Sequence, residues 1–241
     1  MPIISLWSGP RNLSTALMYF FAHRGDFKVL DEPFFGVFLQ ESQRWRPSRD
    51  EVLKSMPLKA ESVLKNIDTH SGQPLFLKNM ANHWPYIPSK ARLTWPAIIL
   101  FRDPRFVFAS YHRQMEQFDI IDLGYAEQVS LYEQLKARGQ KVYLQCSEEL
   151  ALHPEAELSR LCKFFEIPFE SSMLSWPKGA LAEDGPWAKY WYQSVHKSEG
   201  FEARAAKEAP AIKPKDQALY EECLPFYKIL KTAYDEQVQS T

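Results

Sequence analysis

The chain has 241 residues, 45% of them apolar and 24% charged, with a formal net charge of −1 at pH 7. That length and apolar content suffice for one large α/β domain or two small ones. A near-neutral balance excludes general nucleic-acid binding through bulk charge, so any anion site must be built by local geometry.

Ile3 to Trp7 reads as a short strand, and Ser8-Gly9-Pro10-Arg11-Asn12 as a turn. Leu13 to Arg24 carries Leu13, Leu17, Phe20 and Phe21 at helical spacing and predicts a helix. Phe27 to Leu30 is a second strand, ending at Asp31-Glu32-Pro33, and residues 36–74 read as irregular and partly helical. Leu75 to Leu77 is a third strand ending at Lys78, and Ile98 to Phe101 a fourth. Asp103 suits a helix N-cap, and Pro104 the first helical position, where a missing N–H costs nothing. Helices are predicted over Pro104 to Glu116 and Ala126 to Arg138, and a fifth strand over Lys141 to Cys146. Pro154 to Phe165 opens on proline and acids and is amphipathic, which predicts another helix. Residues 177–200 read as an aromatic, charged loop region, before a last helix over Lys215 to Tyr234.

Strands that alternate with helices imply an α/β fold with a mainly parallel central sheet flanked by helices. No internal repeat, low-complexity tract or linker interrupts the pattern, so a single domain over residues 1–241 is expected. Ligands of such folds bind outside the carboxyl ends of the strands. Arg11, Glu32, Lys78 and Arg102 each follow a predicted strand, which gathers four polar groups at that edge. Cys146, Cys162 and Cys223 are odd in number and show no CxxC, and Met1 to Trp7 lacks the features of a secretory leader. No apolar run approaches the roughly 20 residues of a membrane span. A soluble cytoplasmic protein with no membrane contact is therefore expected. The six histidines show no HExxH, and no Cys/His ligand spacing is present, so no metal site is predicted.

Two segments point to phosphate. Ser8 to Thr15 lies between a strand and a helix, where backbone N–H groups and the helix dipole favour an anion. Arg11 offers a fixed charge there, and Ser14 and Thr15 offer hydroxyls. The turn is no Walker A loop, because Ser14-Thr15 lack the preceding Gly-Lys. That missing lysine argues against ordinary ATP or GTP hydrolysis. In the second segment Arg102 ends a strand and Ser110 lies about two turns into the next helix, so the pair can clasp one phosphate from two sides.

These residues resemble the sulfotransferases that use 3′-phosphoadenosine 5′-phosphosulfate (PAPS). Pro10-Arg11-Asn12-Leu13-Ser14-Thr15 is similar to that family's 5′-phosphosulfate loop, and Arg102 with Ser110 eight positions later is similar to its 3′-phosphate element. Glu148-Glu149-Leu150, His153-Pro154-Glu155 and Leu161 to Phe169 resemble a third family region in the right order, so the resemblance covers roughly residues 3 to 170. Leu13 stands in place of a family glycine, Ser147 in place of a frequent tyrosine, and the family's C-terminal lid is only loosely echoed by Lys178-Gly179 and Asp184 to Trp187. A bulky Cβ at Leu13 disfavours positive φ and obstructs close backbone approach.

The resemblance implies a P-loop NTPase-like fold of sulfotransferase type. It also implies transfer of a sulfuryl group from PAPS to a hydroxyl or amine of a small-molecule acceptor, leaving 3′-phosphoadenosine 5′-phosphate. Arg11, Asn12, Ser14, Thr15, Arg102 and Ser110 would bind the nucleotide. Glu32, after the second strand, is the leading base for the acceptor proton, and His83 is its rival. Lys78 is a cation positioned to meet the sulfuryl group or an acidic acceptor. The aromatic-basic stretch Trp187 to Ser198 suits a lid that stacks an adenine, while Trp45 with Arg44 and Arg46 are candidates for an acceptor pocket. Two other readings stay open: a P-loop kinase or nucleotide hydrolase, with Asp103 as a magnesium-type aspartate, and a non-catalytic nucleotide-binding protein. Acceptor identity and oligomeric state have no signature in the sequence.

Overall fold

Five strands form one all-parallel sheet in the order β2-β3-β1-β4-β5. The computed structural model describes residues 2–70, 72–88, 95–203 and 205–240. The strands are β1 (Ile3–Ser8), β2 (Lys28–Asp31), β3 (Leu75–Met80), β4 (Ala97–Phe101) and β5 (Val142–Cys146). The first helices are α1 (Ser14–His23), α2 (Phe35–Ser42), α3 (Arg49–Ser55) and α4 (Ala60–Asp68). They are followed by α5 (Pro104–Tyr111), α6 (Ile120–Leu123), α7 (Tyr125–Ala137), α8 (Ser147–Leu152) and α9 (Pro154–Phe165). The short α10 (Ala188–Trp191) and α11 (Gln193–His196) precede the long α12 (Gln217–Gln239).

Both faces of the sheet are buried, as a parallel sheet requires. Alternate residues feed two cores. Ile98 and Leu100 of β4 pack with α1, α2 and α9 through Leu17, Phe38 and Leu161. Ile99 and Phe101 pack with α4, α7 and α12 through Ile67, Leu131 and Leu230. Among the described residues no helix is long and apolar enough to cross a membrane.

The expected strands and long helices are present, with three differences. Residues 36–74, read as irregular and partly helical, hold α3, α4 and all of α2 but its first residue. The helix expected to reach Glu116 ends at Tyr111, and the last helix runs on to Gln239. Lys78 does not follow its strand: β3 continues to Met80, so Lys78 and Asn79 lie inside it. Lysine in a buried strand reads as a strand end by polarity, but here Asp31 sits beside it in register. Asp103 does cap α5, accepting the Arg105 N–H at 2.8 Å, with Pro104 at the helix start.

The order of the strands fixes where a ligand belongs. From β1 the chain crosses to β2 on one side, and from β4 it crosses to β5 on the other. The switch point, where a crevice opens beyond the strand ends, therefore lies between β1 and β4. The β1–α1 turn there is tightly wound. A Cβ on Gly9 would lie 2.8 Å from the Leu123 carbonyl and 3.1 Å from Asn12 Nδ2. Arg11 (φ 61°) and Leu13 (φ 67°) both occupy the left-handed region. Leu13 thus adopts the backbone its side chain disfavours, at the place where the similar loops carry glycine. Leu13→Gly should be about 1 kcal/mol more stable than Leu13→Ala, because both remove the same side chain contacts and only alanine keeps the left-handed penalty. Urea midpoints of the two variants measure this; equal midpoints would mean the turn carries no such strain.

Candidate active site

The segments that follow all five strands converge on one cavity of about 470 Å³. At the switch point the Arg102 guanidinium donates to the Arg11 carbonyl (2.7 Å), tying the β4 end to the β1–α1 turn. Arg11 Nε donates to Ser110 Oγ (2.9 Å), and Arg113 donates to the same oxygen (3.0 Å). Arg11, Arg102 and Arg113 thus crowd one corner, with Ser110 between two of them. Burial, with Arg113 and Arg102 close by, pulls the Arg11 guanidinium below its ordinary value. Such a corner gains by admitting an anion. The first helical bond of α1 runs from the Leu17 N–H to the Leu13 carbonyl, so the N–H groups of Ser14, Thr15 and Ala16 have no acceptor in the helix. They add the dipole end to the same cavity.

Each expected nucleotide-binding residue lines this cavity, though not all in the same way. Ser14 and Thr15 stand at the helix mouth. Asn12 is spent on the scaffold: its amide donates to the Leu100 carbonyl (3.0 Å), and its own carbonyl accepts from Ser147 Oγ (2.8 Å). Arg102 is braced by Glu148 at 3.5 Å. Burial raises the Glu148 carboxyl, and Glu148 also accepts the Asp103 N–H (3.2 Å). Asp103, capping α5 and paired with Arg105, has a structural role.

The three expected catalytic residues also line the cavity. Lys78, 1% exposed, donates to Glu32 (2.6 Å), Asp31 (2.9 Å) and the Tyr192 hydroxyl (2.7 Å). Burial alone would pull this ammonium down, but the charges of Asp31 and Glu32 hold it above its ordinary value. Glu32 turns into the site through a left-handed backbone (φ 44°). Its N–H donates to the Lys78 carbonyl (2.8 Å) and its carbonyl accepts from Phe35 (2.9 Å). Burial drives the Glu32 carboxyl up, Lys78 opposes this and Asp31 adds to it; the net direction is up.

His83 reaches the cavity by a route its spacing from Lys78 conceals. A 3-10 turn over Ala81–Tyr86 folds it back against the rings of Phe35 (5.5 Å) and Phe38 (4.8 Å). Burial, with Lys78 and Arg46 nearby, lowers it far below the ordinary imidazole value, so the ring is neutral. Its Nδ1 has no hydrogen-bond partner among the described residues. Arg46 also lines the cavity, held by Asp122, which Arg44 grips at 2.8 Å; Trp45 points outward, 67% exposed. The Tyr111 hydroxyl, pushed up to about 12 by burial, lies within electrostatic reach of Arg46, Asp122, Glu32 and Arg11. It sits between the cationic corner and the Glu32 side.

The stretch Trp187 to Ser198 is divided. Trp187 and Tyr192 are core residues, joined by a Trp187 Nε1 to Tyr192 hydroxyl bond of 2.8 Å. Trp191 lines the cavity and packs on Tyr111 at 5.7 Å, and its carbonyl accepts from Arg11 (3.1 Å). Sequence reasoning missed Arg113, Asp31, Glu148 and Tyr111. Only Arg113 had a local signal, since it lies three residues beyond Ser110 and so on the same helical face.

Comparison with known proteins agrees with this geometry. The chain is 38% identical over 235 residues to branched-chain-amino-acid aminotransferase-like protein 2 of Arabidopsis thaliana, covering 96% of this chain and 42% of that protein. It is 38% identical over 234 residues to protein 1 of the same name and plant, covering 95% and 42%. The chain thus spans less than half the length of these curated relatives. Among solved structures it superposes on the sulfotransferase domain from the Synechococcus PCC 7002 olefin synthase with a TM-score of 0.56 at 15% identity, covering 92% of this chain and 94% of that one. Mouse sulfotransferase SULT7A1, solved in complex with PAP, gives a TM-score of 0.54 at 13% identity, covering 97% and 89%. These two share its fold. A sulfotransferase domain family model matches residues 1–234, and this chain belongs to that family.

Proposed function

We infer that the chain transfers a sulfuryl group from PAPS to a hydroxyl or amine of a small-molecule acceptor and releases 3′-phosphoadenosine 5′-phosphate. The observation that carries this reading is the pairing, in one cavity, of a three-arginine corner at the switch point with a buried Lys78–Glu32 pair. PAPS supplies an activated sulfuryl group. Arg11, Ser14, Thr15 and the start of α1 hold its 5′ end; Arg102 and Ser110, helped by Arg113, hold its 3′-phosphate. Asn12 fixes the shape of the turn. One domain over residues 1–241 is part of the same reading, supported by the family match over residues 1–234.

Glu32 takes the acceptor's proton as the acceptor oxygen or nitrogen bonds to sulfur. The sulfur–oxygen bond to the 5′-phosphate breaks, and its electron pair stays on the phosphate. Lys78 and Arg11 lie where negative charge spreads during this exchange. Glu32 is preferred to His83 because a carboxylate raised by burial is a stronger base, whereas an imidazole held far below its ordinary value is a weaker one. His83 is assigned to the acceptor wall with Phe35 and Phe38. Against a kinase or hydrolase stand the capping role of Asp103 and the absence of a Walker lysine. Against a passive nucleotide binder stands a buried base on the cavity wall.

Calorimetry should show tighter binding of 3′,5′-bisphosphoadenosine than of AMP. Arg102→Ala should weaken the bisphosphate by about 1.5–3 kcal/mol, the scale of a charged hydrogen bond. Equal affinities for the two nucleotides would remove the 3′-phosphate assignment. Transfer of radiolabelled sulfate from PAPS to a panel of small alcohols and amines should fall about 10²–10⁴-fold in Glu32→Gln with bisphosphate affinity kept. Undiminished transfer would return the proton to His83.

A further inference from the structure

The Lys78 cluster contains one cation and two carboxylates. Fully ionised it carries a net charge of −1 in a largely buried place. Glu32 faces the cavity, whereas Asp31 is turned away from it and its bonds are all internal. One Asp31 oxygen accepts from Lys78 (2.9 Å) and the other from the Gly185 N–H (3.0 Å). Both lie 2.8 Å from the Tyr192 hydroxyl. That hydroxyl accepts from Lys78 and Trp187, so its own proton is committed to Asp31. Asp31 is the acceptor in every one of these bonds, and it shares Lys78 with Glu32, so the cluster holds one carboxylate more than it holds cations.

We propose that Asp31 is a positioning residue which makes Glu32 a proton acceptor, by claiming the charge of Lys78 that Glu32 would otherwise share alone. This rests on the reading of Glu32 as the base. When Glu32 takes a proton from the acceptor, the cluster passes from −1 to neutral, so the buried charge is relieved in the step that needs a base. A lone Lys78–Glu32 pair would work the other way: neutral at rest, it would resist the proton. Groups near the cluster from the packed elements include Tyr192, His83, Tyr111, Arg46 with Asp122, and, on the Asp31 side, Tyr19 bonded to Asp184, which pairs with His196. Tyr192, His83, Tyr111 and Tyr19 are neutral near pH 7, and Asp122 pairs with Arg46 and Arg44.

The test is an infrared pH titration of the protonated carboxyl band in the intact chain, with the Glu32 band assigned by its loss in Glu32→Gln. In Asp31→Asn the Glu32 midpoint should fall by about one pH unit or more, because Lys78 then serves Glu32 alone. Asp31→Ser, which keeps an acceptor for Tyr192, should move it the same way and stands in if the asparagine variant does not fold. Tyr192→Phe disturbs the same cluster without changing its charge and should leave the midpoint in place or raise it. An unchanged or raised midpoint on loss of Asp31, or an equal fall in Tyr192→Phe, would overturn the proposal. Failure of the underlying reading looks different: Glu32→Gln would retain transfer whatever the titration shows.

Discussion

Lys78 is a lysine in the middle of a buried parallel strand, and the chain is arranged around satisfying it. An unpaired ammonium at that depth would cost several kcal/mol. The sheet register places Asp31 beside it, the sharp turn after β2 brings Glu32, and the segment that follows residue 184 delivers Tyr192. Three remote parts of the sequence are thereby joined at one nitrogen. The same cluster anchors the Trp187–Tyr192 stretch against the sheet and gives the cavity its carboxylate wall. Stability and proposed chemistry draw on one set of bonds, which is why β3 tolerates a residue that propensity would exclude.

The opposite wall follows from topology. Reversal of the winding direction between β1 and β4 opens a crevice at two turns, and each turn presents an arginine. Ser110 Oγ, one helix further on, accepts from Arg11 and Arg113 and so links the two turns through a side chain. Arg11 and Arg102 donate to backbone carbonyls, Arg11 and Arg113 to one hydroxyl, and Glu148 lies 3.5 Å from Arg102, so cations gather here around few carboxylates. Leu13 keeps the left-handed backbone of the turn despite its Cβ.

The sheet and the meeting of Arg11, Arg102 and Ser110 at its edge were legible because they depend on local pattern: apolar runs, an Asp-Pro cap, and an arginine and serine at a fixed spacing. The acceptor side was not. Lys78 reads as a strand end until Asp31 is seen beside it. His83 reads as a surface loop residue until a 3-10 turn folds it against Phe35 and Phe38. Trp187 and Tyr192 read as a stacking lid, yet they are buried in the core and meet the cavity as part of its wall, beside Trp191. In each case the deciding partner lies far away in sequence, and spacing carries no trace of it. Residues 36–74 were read as irregular and partly helical, with no helix placed, because the helices there are short and expose polar faces.

The central claim is that the Lys78 cluster holds the 185–196 segment to the sheet and so completes the site. Peptide-level hydrogen exchange on Tyr192→Phe tests it most directly, since the substitution removes one oxygen shared by Lys78, Asp31 and Trp187. The account predicts faster exchange across residues 185–196, with the amides of β1 and β4 as protected as before. Unchanged protection across that segment, or loss spread evenly over the whole sheet, would contradict it.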